Sequence, residues 1–207
     1  MTSYKQIFET NVPLINLSAW EPAQLKFPRE LLMQQSLDEV GMEVIELRLS
    51  LPGLLPPTGE KCLLAVDPGY AHTGLAYVTA QEVVLYQADV RAGKQYTKPS
   101  TSEIVRRILL LDEALPIDTA FTVIEDAAYS KSGSPQASLG LVRGVWAGLA
   151  TERYGTAQFV GPQQAKKLLF GTAKGVDYHK QSKHYPDATA AFALALVGCM
   201  LLEEGNV

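Results

Sequence analysis

Cysteine is scarce in this chain: Cys62 and Cys199 are two of its 207 residues. Both sit inside apolar runs, so they read as reduced core residues rather than a disulfide framework, which suits a reducing compartment. No basic, apolar, small-residue stretch opens the sequence, and no secretory signal is expected. Long hydrophobic runs are also missing. The longest, Ala188–Leu202, is 15 residues and rich in alanine, short for a membrane span and typical of a buried helix. A soluble, cytoplasmic protein without a membrane partner is the expectation. Internal repeats are absent.

Nor is there a large excess of charge. The net charge of −4 argues at first against a phosphate-rich partner, but the distribution does not. Residues 1–60 hold four Lys/Arg against eight Asp/Glu, and residues 61–207 hold 14 of each. Between Lys131 and Lys183 stand Lys131, Arg143, Arg153, Lys166, Lys167, Lys174, Lys180 and Lys183, opposed by Glu152 and Asp177 only. A local basic field of that kind matters more for phosphate binding than the total does. A solvated charged face is the alternative reading.

What the chain does have is apolar residues, 47% of the total, enough for a sizeable core. "LPGLLPPTGE", residues 51–60, reads as a linker. Before it, Pro28 could open a helix through "RELLMQQSLDEV", and "EVIELRLSL" alternates with Ile45, Leu47, Leu49 and Leu51 on one face. The first 60 residues carry no known motif and are taken as an N-terminal extension. After them Leu63–Asp67, Gly74–Thr79 and Glu82–Val90 read as an antiparallel meander. A helix capped by Thr101 or Ser102 follows, then the strand "TAFTVIED" ending at Glu125. A helix over 135–153 presents Leu139, Val142, Trp146 and Leu149 on one face. "AQFVG", a short helix from Pro162 to Gly171, and a last buried helix from Asp187 to Glu203 complete the chain. This order predicts an α/β fold, a mixed five-stranded sheet with helices on its faces, over residues 61–207.

Three carboxylates stand out. Asp67 and Glu125 each end an apolar strand, and Asp187 opens the last helix. Strand ends in an open α/β sheet converge on one crevice. Three like charges there raise one another's pKa, a conflict that a divalent cation removes. Two such ions would activate a water and stabilise the leaving oxygen of a phosphodiester. The competing structural reading makes Asp67 a turn residue of "DPG" and Asp187 a helix cap.

"LLAVDPGYAHTGLAYV", "TVIEDAAYSKSGSPQASLGLVRGVWAGL", "AKKLLFGTAKG" and "HYPDATAAFALAL" occur in an order that resembles the RuvC-type Holliday-junction resolvases of the RNase H-like nuclease superfamily. The resemblance covers residues 61–207. It implies an RNase H-like fold and a metal-dependent endonuclease that resolves four-way DNA junctions, leaving a 5′-phosphate and a 3′-hydroxyl. It makes Asp67, Glu125 and Asp187 metal-binding catalytic acids for Mg²⁺ or Mn²⁺, two per site. His184, three residues before Asp187, looks like a fourth catalytic member, as ligand or general acid/base. Lys131, Arg143, Lys166, Lys167 and Lys174 match DNA-contacting positions. A homodimer on branched DNA is implied, with surfaces around Trp146 or the N-terminal extension available to bind self or another protein. A bacterial or phage source is the expectation.

The sequence departs from that pattern in two places. Only about a dozen residues separate Gly171 from His184, where the family usually has a further helix. Ala128, followed by Tyr129, stands where a base-stacking aromatic is common. These departures motivate other substrates, such as other branched DNA or RNA–DNA hybrid. Two further alternatives are a catalytically weak DNA-binding scaffold and an actin-like nucleotide-binding protein using "DPGYAHTG". The latter needs a duplicated domain that this length does not hold.

Overall fold

The computed structural model describes residues 3–23, 37–57, 62–90, 99–114, 121–126, 133–155 and 157–205, without the side chains of 133–138, 153 and 154. Most of the helix expected from Pro28 lies outside these residues, as do Ala128, Tyr129 and Lys131.

In chain order the elements are α1 (Tyr4–Leu17), β1 (Glu21–Pro22), β2 (Met42–Ser50), β3 (Leu63–Asp67), β4 (His72–Val78) and β5 (Glu82–Val90). Then come α2 (Thr101–Ala114), β6 (Phe121–Glu125), α3 (Gly133–Tyr154), β7 (Ala157–Val160), α4 (Pro162–Phe170), a 3₁₀ turn at His179–Gln181, and α5 (Pro186–Glu203). The strands form one sheet in the order β1-β2-β5-β4-β3-β6-β7. Pairs from β1 to β3 in that order are antiparallel, and β3-β6 and β6-β7 are parallel. The five strands expected are all present. The alternating segment read at 43–51 is β2, and with the short β1 it extends the sheet beyond the β5 edge. β2 pairs with β5 from Met42↔Val90 to Ser50↔Glu82, so the extension is built into the sheet.

Strand alternation gives the sheet a core on each face. On one side Leu63, Ala65, Ala76, Val78, Leu85 and Val123 meet α5, with Phe8, Val12 and Ile15 of α1 in the same cluster. On the other, Leu64, Val66, Leu75, Tyr86 and Ile124 pack with Ile104 and Ile108 of α2 and Val142 and Trp146 of α3. Gly198 lets α5 approach the sheet: a Cβ there would lie 2.6 Å from the Leu63 side chain. α5 is long and apolar enough to cross a membrane, yet 78% of it is buried inside the fold, as a core helix. Cys62 and Cys199 are buried and form no disulfide.

Two local expectations change. Ser100 caps α2: its backbone N–H donates to Glu103 Oε2 at 2.7 Å, and the Glu103 N–H donates back to its hydroxyl at 3.3 Å. Trp146 is 1% exposed and belongs to the core, so it offers no surface for a second copy. Its neighbours at helical spacing, Val142 and Ala150, are buried on the same side.

Candidate active site

Alternation and register assemble the site before any side chain is considered. Asp67 continues the face of Leu63 and Ala65, and Glu125 continues that of Phe121 and Val123. In the parallel pairing Val66 sits opposite Ile124, which puts the next residues, Asp67 and Glu125, side by side. Across the other ladder Asp67 faces Gly74, and Gly74 faces Gln87. A row Gln87–Gly74–Asp67–Glu125 therefore crosses four adjacent strands on the α5 side.

Gly74 is the opening in that row. A Cβ at this position would lie 1.9 Å from the backbone oxygen of Asp187, so only glycine lets the first turn of α5 settle on β4. That approach brings Asp187 over the strand ends. Gln87 holds it there: its Nε2 donates to Asp187 Oδ2 at 2.9 Å and to Asp89 Oδ1 at 2.7 Å. The Ala188 N–H donates to Gln87 Oε1 at 3.0 Å, which satisfies one of the open amides of the helix start.

Asp67 and Glu125 are 7% and 8% exposed. Burial, then the charge of Glu125 and a side-chain hydrogen bond with it, then the charge of Asp187 hold the Asp67 pKa well above the usual aspartate range. Among the described residues Asp67 Oδ2 has no hydrogen-bond partner. Glu125 does have one: the Tyr178 hydroxyl donates to its Oε1. Burial and the charge of Glu125 push the Tyr178 pKa up, which keeps that phenol protonated and donating. Lys166 Nζ lies 5.3 Å from the centre of the Tyr178 ring.

The adjacent residue, His179, points its Nδ1 toward Asp67 Oδ2 at 3.8 Å. Asp67, His179 and Asp187 each offer a ligand atom within 4.8 Å of the others, and so do His72, Asp89 and Asp187. Among the described residues Glu125 joins neither group, and neither does His184. His184 is exposed, with its ring 6.1 Å from that of Tyr185. Sequence reasoning named the three acids but not Tyr178, His179, Gln87 or the His72–Asp89 pair, whose Nδ1 and Oδ1 are 2.9 Å apart. Of the basic positions, Lys166 is half-buried beside Tyr178, and Lys167 and Lys174 are exposed. Arg143 is engaged within the chain, paired with Asp126 and donating from Nε to the Leu139 carbonyl at 3.2 Å.

The residues present fit a divalent cation. Hard carboxylate oxygens converge, one of them buried and without a hydrogen-bond partner among the described residues, and their mutual repulsion is what such an ion offsets.

No protein-family model and no curated protein matches the sequence. Solved structures do. RuvC of Thermus thermophilus in complex with a Holliday junction substrate is similar at 20% identity with a TM-score of 0.53, covering 70% of this chain and 96% of that one. A second structure of Thermus thermophilus RuvC matches over the same shares at 20% identity and a TM-score of 0.52. The chain has the RuvC-type, RNase H-like fold.

Proposed function

We propose that the protein is a divalent-metal-dependent endonuclease that cuts branched DNA, with the four-way junction as its main substrate. The observation that carries this reading is the buried Asp67 carboxylate, repelled by the charges of Glu125 and Asp187 at the sheet's strand ends, whose Oδ2 has no hydrogen-bond partner among the described residues. The shared fold supports it, since a protein of that fold has been solved on a Holliday junction.

Asp67, Glu125 and Asp187 would hold Mg²⁺ or Mn²⁺, two ions per site. Such ions, when bound, supply an activated water and stabilise the leaving oxygen of the phosphodiester, giving a 5′-phosphate and a 3′-hydroxyl. The chain's own contribution is placement. Two carboxylates end neighbouring, hydrogen-bonded parallel strands, and the third is held by Gln87. Tyr178 donates to Glu125 Oε1 and fixes that carboxylate in place. Lys166, Lys167 and Lys174 bring positive charge for the DNA backbone. A two-fold dimer would match the symmetry of a junction, with one strand cut by each subunit.

One observation favours a second reading. Arg143 pairs with Asp126 rather than standing free for phosphate, which favours a nuclease less selective among forks, flaps and junctions.

The test is a gel assay on a labelled mobile four-way junction beside fork, flap and RNA–DNA hybrid, with Mg²⁺, Mn²⁺ or EDTA. Paired symmetric nicks that need metal are expected. Equal cutting of all branched substrates would establish the second reading, and binding without cutting in either metal would sink both. Asp67→Asn is expected to lower cleavage by at least about 10²-fold while junction binding persists, the range for losing one electrostatic contact to the transition state.

A further inference from the structure

We infer that His179, from the loop between α4 and α5, is the nitrogen ligand of the cation that Asp67 and Asp187 hold. This inference rests on the metal-centre reading above.

Its Nδ1 and Asp67 Oδ2 are 3.8 Å apart. That is too long for a hydrogen bond and within the span of two ligands, each about 2.1 Å from one ion. The Asp67 oxygen concerned is the buried one without a hydrogen-bond partner among the described residues. Asp187 closes the group, with all three ligand atoms within 4.8 Å of one another.

The loop is held in place rather than merely draped there. Asn16 of α1 donates from Nδ2 to the Gln181 carbonyl at 3.0 Å and accepts from the Ser182 hydroxyl at 2.8 Å. On the other side Tyr178, 1% exposed, is anchored on Glu125. The dipeptide Tyr178–His179 thus straddles the two strand-end carboxylates: the phenol meets Glu125 and the imidazole meets Asp67. The short connection from Gly171 to His184, which lacks room for a long helix, performs this task itself.

Mn²⁺ serves as the probe because a bound imidazole nitrogen modulates its electron spin echo. The measurement uses the full chain with Mn²⁺ and no DNA. The chain has three histidines, His72, His179 and His184, so three single variants identify the source of any nitrogen signal. Wild type is expected to show nitrogen modulation. His179→Gln is expected to lose it and to bind Mn²⁺ about tenfold or more weakly by calorimetry. His72→Gln and His184→Gln are expected to keep the modulation. Should His179→Gln fail to fold by circular dichroism, His179→Asn replaces it. Manganese bound without nitrogen modulation, or modulation that disappears only in the His72 or His184 variant, overturns the role of His179 and leaves the carboxylate site standing. A wild-type chain that binds no Mn²⁺ overturns the metal centre itself.

Discussion

At the scale of single residues, Asp67 sets function against stability. The folded protein binds the Asp67 proton more tightly than the unfolded chain does, because burial and two neighbouring carboxylates raise its pKa. Metal-free stability therefore falls as pH climbs from the ordinary aspartate range through the raised folded value. Asp67→Asn should remove that fall and raise Tm at neutral pH, an effect on the order of 1–3 kcal/mol. Thermal melts in EDTA from about pH 4 to about pH 8 check this, and identical profiles for both proteins would count against a strained carboxylate. Tyr178 acts on its neighbour rather than on substrate. Tyr178→Phe leaves Glu125 without its hydroxyl donor, and metal affinity and cleavage should each drop about 10–100-fold. Raising the metal concentration should recover part of the cleavage, which a general loss of structure would not allow.

Among the elements, the first turn of α5 is positioned by what β4 lacks. Gly74→Ala would place a methyl 1.9 Å from the Asp187 carbonyl oxygen, backbone against backbone, with no flexible side chain to yield. The helix start must lift, at a cost of about 1–3 kcal/mol. A carboxylate displaced by about 1 Å can cost on the order of 10²-fold in rate. Melting and cleavage measured on the same preparation test both effects, and a variant with wild-type activity would show that α5 can start elsewhere. Much of this arrangement was legible in the residues. Asp67 and Glu125 are odd-numbered ends of strands whose odd positions face one core, so alternation puts both on one side. His179 was not legible. The family resemblance pointed to His184, three before Asp187, but that offset shares a face only within a helix. Pro186 disfavours a helical residue before it, and Tyr185 stands at φ −132°, ψ 57°. His184 therefore belongs to a loop that turns it outward. His179 sits in a 3₁₀ turn of three residues, too short to carry any periodic signal.

For the whole molecule, the question is whether the N-terminal segment is an appendage or part of one cooperative unit. Its sequence has no motif, which is why it reads as an extension; its contacts are tertiary and invisible to local pattern. β2 covers the β5 edge over its full length, a row of backbone groups that would otherwise be open to another chain. Phe8 of α1 stacks on Phe192 of α5, with ring centres 6.0 Å apart, and meets Phe170 of α4 edge-on at 5.3 Å. Trp20 stacks on Tyr185 at 4.1 Å, two residues before Asp187. Phe8, Val12 and Ile15 are all buried. At roughly 1.5–3 kcal/mol for each buried side chain, these three alone approach the roughly 5–15 kcal/mol that holds a typical domain folded. Removing residues 1–57 should therefore give a chain that aggregates or lacks a cooperative melt, not a smaller active nuclease. A milder cut tests the link to the site. Asn16→Ala removes the hold on Gln181 and Ser182 while leaving the apolar face of α1 intact. It should lower Tm by only a few degrees, the shift expected for about 1 kcal/mol, yet weaken metal binding measurably by calorimetry. A truncated chain with wild-type Tm would show that residues 58–207 fold alone. An Asn16 variant with unchanged metal affinity would show that the Tyr178–His179 loop holds its place without α1.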